Sequence, residues 1–330
     1  DIGTTGQKTD NSYNVVQFFD ASGTTILDGF TIQDGNADLT DVNDDGAGIW
    51  NRGNLTLKNI VVRNNEAADD GGGIRNDGEL TIINSTIADN TALSQSSSTS
   101  GGGGLLNTNG ENTLVTIINS AFSGNEAKNG GAIRNDGNLN LFNSTLRDNT
   151  ASQSGGGLVT TIDPFNLLSS GTAIITNSTI TKNTGDSELG GGVANVGFLT
   201  VSNSIIAGNT NNDDIQNTFT VSDIPFPGSI INDGNNLIGS YDGSDFTNGS
   251  NGDIVGTNSN PVDAKLGILE NNGGLTQTHA LLSGSPAINS GSNNNIVLDT
   301  KDLDGDSDTT EQIPFDQRGV GFDRIIDSTV

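Results

Sequence analysis

The sequence predicts an all-β fold, a parallel solenoid of short strands coiled into stacked rungs. Three observations predict it. The string apolar-x-N-S-[TIA]-[ILF]-x-x-x-N recurs with its two asparagines six residues apart, at Asn59/Asn65, Asn84/Asn90, Asn119/Asn125, Asn143/Asn149, Asn177/Asn183 and Asn203/Asn209. Glycine clusters precede most copies: Gly71 to Gly73, Gly101 to Gly104, Gly130 and Gly131, Gly155 to Gly157, and Gly190 to Gly192. The apolar residues fall in short β-branched runs, such as LTII, VTII and AIIT, with no helical period. A repeat of this size fixes an architecture before any single residue does.

The chain opens with an expected entry rung and cap over residues 1–23, where YNVVQFF spans Tyr13 to Phe19. The ends of a stacked array carry unpaired strand edges, so covering segments are expected there.

Residues 24–210 hold the regular rungs, led by an Asp28/Asp34 pair at the same offset. The copy from Gly71 to Ala92 reads as three strands, near Gly73 to Asn76, Leu80 to Ile83 and Thr86 to Ala88. Leu80 and Ile82 share one face and Thr81 takes the other, because strand side chains alternate. From Asp28, the first member of each pair advances by 31, 25, 35, 24, 34 and 26 residues. The short steps are the bare rung. The long ones carry insertions at Gln33–Asp45, at Leu93–Ser100 with Thr108–Asn112, and at Thr160–Ser170, expected as loops on one flank.

Asparagine tolerates the left-handed bend of a rung corner, and stacked amides can hydrogen-bond along a column. A further column is expected at Asn51, Asn76, Asn107, Asn135 and Asn195. Phe30, Phe122 and Phe142 read as core stackers.

Residues 211–330 read as irregular last rungs and a C-terminal cap with an acidic loop; a separate small domain is the alternative. Strand-like pieces stand at Thr218–Val221, Ile230–Ile231, Asn236–Ile238, Ile254–Val255, Thr278–Leu282 and Ile296–Leu298.

Bulk composition narrows the function. Forty acidic residues against 13 basic give a net charge of -27, which repels nucleic acid and anionic membrane surfaces. No cysteine means no disulfide, thiolate zinc site or thiol nucleophile. No apolar run nears the 18 or so residues of a membrane span. The absence of methionine, even at position 1, points to a mature or excised segment.

A family resemblance covers roughly residues 24–325. Phe122-Ser123-Gly124-Asn125 followed by Gly130-Gly131-Ala132-Ile133 resembles the repeats of chlamydial polymorphic outer-membrane proteins. The rungs followed by NNLIG at Asn235–Gly239, NNGGLTQTHALLSGSPAINSG at Asn271–Gly291 and DQRG at Asp316–Gly319 are similar to bacterial surface proteins of the "choice-of-anchor" group. The resemblance implies a right-handed β-helix in an exported, surface-attached, multidomain protein, and no established reaction. The D-I-G-A-F/Y-E string that commonly follows DQRG in that group is missing, although the chain opens with Asp1-Ile2-Gly3.

The sharpest chemical candidate is Asp302, Asp304, Asp306 and Asp308, with Glu311 nearby. Alternating carboxylates can converge on calcium, which takes six to eight oxygens. The EF-hand pattern fails, since Ser307 stands where it needs Gly and Ile313 where it needs Glu. The competing reading is a solvated acidic turn. The clusters Asp38/Asp41/Asp44/Asp45, Asp69/Asp70 and Asp213/Asp214 read more simply as solvated loops. The lone histidine, His279, reads as a packed cap residue.

Arg75 and Arg134 occupy equivalent places in two I-R-N-D-G strings, with Leu106 in the rung between. β-Helical polysaccharide lyases use calcium with a basic residue, and these arginines are the best imitation here. An ordinary surface Arg–Asp neighbourhood is the competing reading. With one Trp and two Tyr, the chain is poor in the rings that glycan clefts stack on. The expected function is a noncatalytic extracellular module, a rigid adhesive or spacer facing a cell-surface or matrix ligand such as a polysaccharide; the alternative is a calcium-dependent polysaccharide lyase.

Overall fold

A computed structural model describes residues 12–19, 23–38, 45–93, 101–110, 113–161, 170–186, 190–210, 213–221 and 224–325. The molecule is a parallel β-helix. Its first sheet has eight strands, from Val16–Phe18 through Ile74–Asn76 to Ile215–Gln216. Its second also has eight, from Thr24–Asp28 through Glu79–Ile83 to Ser229–Gly234. Its third has nine, from Thr31–Gln33 through Thr86–Ala88 to Ile254–Val255. Each strand pairs in parallel with its counterpart one rung on, so like residues stack. Ile74 faces Ile49 and Leu105, and Leu80 faces Leu55 and Val115.

Alternation turns every second residue of each strand into the tube. Those residues form one continuous core that includes Leu55, Leu80, Ile87, Val115, Phe122 and Ile133, all fully buried. Burial at roughly 25 cal/mol per Å² of apolar surface makes this the main stabilising term. Phe30 departs from expectation: it is 57% exposed. It belongs to the first described rung of its sheets, and among the described residues no earlier rung covers it. Phe142 is half-buried on the outside, against Ile118 and the tail residues Ile296 and Ile313.

A fourth strand per rung was not expected. Asn36–Ala37, Glu66–Ala67, Thr91–Ala92, Glu126–Asn129 and Thr150–Ser154 form a short parallel sheet. It continues as single bridges from Thr150 to Thr184 and on to Thr210.

The two asparagines of each pair do different work. The first is a corner. Asn59, Asn84, Asn119, Asn143, Asn177 and Asn203 all have φ between 49° and 54°, a left-handed conformation that favours Asn or Gly. The second lies inside and builds a ladder. Asn65 Nδ2 donates to Asn90 Oδ1 at 2.9 Å, and the same bond links Asn90 to Asn125, Asn125 to Asn149, Asn149 to Asn183 and Asn183 to Asn209. Each Oδ1 also accepts the backbone N–H of the preceding ladder residue, as Asn125 Oδ1 does from Asn90. The first-sheet column forms a second ladder, Asn51 to Asn76 to Asn107 to Asn135, at 2.7 to 2.9 Å. Thr160 replaces Asn in the next rung and donates to Asn195.

The C-terminal third divides. Residues 213–256 complete the last rungs, with Tyr241 and Phe246 joining the core edge-to-face at 5.3 Å. Thr218–Val221 pairs antiparallel with Ile224–Pro227, outside the rung pattern. The remaining tail carries an antiparallel hairpin, Leu266–Glu270 with Thr278–Leu281. Ile296–Leu298 is not a strand; a 3-10 turn at Asn293–Asn295 precedes it. This tail does not sit over the end alone. It runs back along the corner between the second and third sheets as a strap. Gln317 reaches Thr145 Oγ1 at 2.7 Å and Ser120 O at 3.3 Å, and Thr276 Oγ1 donates to Asn119 O.

The cap residues 1–11 and the insertion segments 39–44, 94–100, 111–112 and 162–169 lie outside the described residues. Among the described residues, no helix is long and apolar enough to cross a membrane.

Candidate functional site

Three groupings of chemistry-bearing side chains emerge. The first is the outer face of the first sheet. Register places Leu106 between Arg75 and Arg134, one rung from each, so the arginines stand roughly 10 Å apart at about 4.8 Å per rung. Both are committed to carboxylates. Arg75 Nε lies 3.1 Å from both oxygens of Asp77, and its Nη1 meets Asp45. Asp77 also accepts from Trp50 Nε1 at 2.7 Å and Thr108 Oγ1 at 2.9 Å. Arg134 grips Asp136 with Nε at 3.0 Å and Nη2 at 2.9 Å. Desolvation acts to lower the Arg75 pKa, but Asp45 and Asp77 outweigh it and hold the guanidinium above its ordinary value. A base that abstracts a proton must give up its own, and this environment opposes that.

The second grouping lies beside it. Asp45, Asp69 and Asp70 each place a carboxylate oxygen within 4.8 Å of the others. Two sequence clusters, one rung apart, thus meet in space; Asp41 and Asp44 lie outside the described residues. Asp70 accepts the Gly101 N–H at 2.5 Å. Burial nevertheless pushes its pKa up to about 7, with Asp45 and Asp69 adding repulsion.

The third is the acidic loop of the strap. Asp302, Asp304 and Asp306 bring carboxylate oxygens within 4.8 Å of one another. Asp308 is not in that set. It turns away to accept from Thr310 N at 2.8 Å and Thr310 Oγ1 at 2.7 Å. Asp304 is shared instead with a second trio, Asp299 and Glu311. Left-handed backbone at Asp302, Gly305 and Ser307 wraps the loop. The Glu311 pKa is raised by desolvation and then by Asp304, Asp306, Asp308 and Asp299, and its Oε1 is enclosed without a hydrogen-bond partner. Either trio could hold a metal ion through its carboxylate oxygens, Asp302, Asp304 and Asp306 in one and Asp299, Asp304 and Glu311 in the other. Glu311, near the run in sequence, joins it here, whereas Asp299 lies outside the run and is not marked by its alternation.

His279 sits in the tail hairpin, its Nδ1 donating to Gly267 O at 2.7 Å. Burial, then Arg147 and Lys182, lowers its pKa. Asp214 is structural too. It ends the long amide ladder, accepting from Asn209 N and Nδ2 at 2.8 Å on Oδ1 and from Ser240 N at 2.8 Å on Oδ2. Burial raises its pKa to about 6 despite these donors.

Comparison with protein families, with curated proteins and with solved structures finds no match to this chain.

Proposed function

We propose that this chain is a noncatalytic module of a bacterial surface or secreted protein. It acts as a rigid spacer that presents an adhesive flank, and calcium stabilises its strap. The placement outside the cell rests on the family resemblance, as does membership of a longer chain. Rigidity is supported by the ladders, which tie every rung from Asn65 to Asn209 to the next through buried side chains. Nine third-sheet strands at about 4.8 Å give a body roughly 40 Å long.

One observation supports the noncatalytic reading: Arg75 and Arg134, the two arginines a lyase reading would use, are both paired with carboxylates, which opposes either acting as the base of an elimination. Incubating the chain with acidic polysaccharides, with calcium or chelator, should yield no unsaturated product. Product that disappears in Arg75→Ala or Arg134→Ala would replace this reading with a lyase.

Calcium should raise the melting temperature by several degrees over chelator, as any ligand of the native state does. The gain in hydrogen-exchange protection should fall on residues 299–311 and vanish in Asp304→Asn. Indifference to calcium would remove the metal from the proposal.

A further inference from the structure

The strap encloses a cleft of about 540 Å³ against the solenoid, within the roughly 300–1,000 Å³ of small-molecule sites. Its position follows from how the strap meets the corner asparagines. At Asn143, Nδ2 donates to Phe315 O at 3.0 Å, and Arg324 Nη2 donates to Oδ1. At Asn203, Nδ2 donates to Ser292 O at 2.7 Å and Oδ1 accepts from Ser292 N at 2.8 Å. At Asn235, Nδ2 donates to Ser290 O at 3.0 Å. Asn177 lies between these latches, and there the strap leaves a gap.

Two groups at that gap are short of partners. Asn177 Oδ1 accepts from Asn203, but its Nδ2 is shielded from solvent and has no acceptor. An enclosed donor without a partner is costly and marks a place where an acceptor belongs. Arg324 also lines the cleft. Among the described residues, its Nε and Nη2 reach only neutral oxygens, those of Phe315 and Asn143. The nearby Asp316 carboxylate is gripped by Arg318 at 2.6 and 3.0 Å. Burial holds the Arg324 pKa down to about 10, still cationic at neutral pH. The opposite wall is aliphatic, made by Ile205, Leu237 and Ile254 of the third sheet, and the rim is Ser and Asn.

We propose that this cleft binds a sugar acid, a hexuronate ring or chain end. Its carboxylate accepts from Arg324 and Asn177 Nδ2, its C–H face lies on Ile205 and Leu237, and its hydroxyls meet the Ser and Asn rim. A guanidinium with an amide donor suits a carboxylate. A hydroxylated ring suits a site that is half amide and hydroxyl, half short aliphatic. The inference rests on the adhesive-module reading and names its ligand class.

Calorimetric titration of the intact chain, in calcium, tests it with glucuronate, galacturonate, a galacturonate trisaccharide, glucose and acetate. Uronates should bind, with glucose and acetate at least about tenfold weaker, a difference of 1.4 kcal/mol. Trisaccharide binding tighter than the monosaccharide places a chain in the cleft; equal affinity places a single terminal ring there. Asn177→Asp keeps the left-handed corner and the acceptor for Asn203 while removing the donor, and should weaken uronate binding at least about tenfold. Arg324→Gln should do the same. Absence of uronate binding, equal binding of glucose, or a folded Asn177→Asp chain that binds as before overturns the proposal. The glucose comparison needs no variant, so a misfolded mutant leaves the test intact. Failure here leaves the noncatalytic reading standing, whereas unsaturated product from the trisaccharide sinks that reading instead.

Discussion

The rungs and the strap are stabilised in opposite ways. In the rungs, the ladder asparagines have partners because an identical residue sits one rung away. Asn125 is fully buried, gives its amide to Asn149 Oδ1 and Ile87 O, and receives two bonds from Asn90. The strap has no repeat to draw on. Its apolar contact with the second sheet is small, centred on Ile296 and Ile313. It holds on through single hydrogen bonds to corner groups and folds an acidic loop upon itself. Repetition therefore satisfies the ladder amides without ions, while the irregular segment gathers mutually repelling carboxylates and leaves the corner donor of Asn177 without a partner. The candidate ligand sites lie there and on the flank of the first sheet for that reason.

The comparison breaks most clearly at Asn125. Asn125→Ala leaves the Asn90 N–H without its acceptor and removes one bond each from Asn90 Nδ2, Asn149 Oδ1 and Ile87 O. At about 1–3 kcal/mol for the unsatisfied N–H and about 0.5–1.5 kcal/mol for each other lost bond, a loss of roughly 3–5 kcal/mol in urea denaturation is expected. A loss below about 1 kcal/mol would mean the ladder adds little beyond the sheets.

A smaller effect tests the end of that ladder. The Asp214 pKa is raised from 3.8 to about 6, so the native state binds its proton more tightly than the unfolded chain. Its contribution to stability is full below about pH 4, falls as pH rises to about 6, and is flat above. About two pH units correspond to at most about 3 kcal/mol. Denaturation midpoints followed from pH 4 to 7 in chelator should fall, and Asp214→Asn should flatten that slope. An unchanged slope in the variant would assign the fall to the general self-repulsion of this acidic chain.

The smallest effect separates corner from ladder. Asn59 has φ 54° at an exposed corner. Asn59→Ala should cost about 1 kcal/mol and Asn59→Gly less than half of that, because only the former meets the left-handed penalty. Equal costs would show that the bond from Asn59 to Asp28, at 2.8 Å, matters more than the backbone.

The body was legible because its physics repeats. Left-handed corners demand Asn or Gly at one phase, and the amide ladder demands Asn at another, so both printed themselves as a period. The fourth strand was not legible: Thr91–Ala92 is two residues long and has no alternation to see. Nor was the strap. The bonds from Gln317 to Thr145 and to Ser120 span 172 and 197 residues between unlike partners, which leaves no periodic trace. The acidic run announced carboxylates, yet which of them converge depended on turns that send Asp308 outward and bring Asp299 in. The cleft depended on a gap between latches, a property of spacing along the corner that no short motif encodes.

The direction of the long ladder has a further consequence. Every amide from Asn65 to Asn183 hands its proton forward to the next, and the last, Asn209, hands it to the Asp214 carboxylate. Each coil thus offers the same plug on one side and the same socket on the other. Recombination could copy or excise a whole coil and leave the joints sound, while losing half a coil would spoil every joint at the cut. Added or lost turns would leave the ladder continuous as long as they are complete and the carboxylate still closes its end.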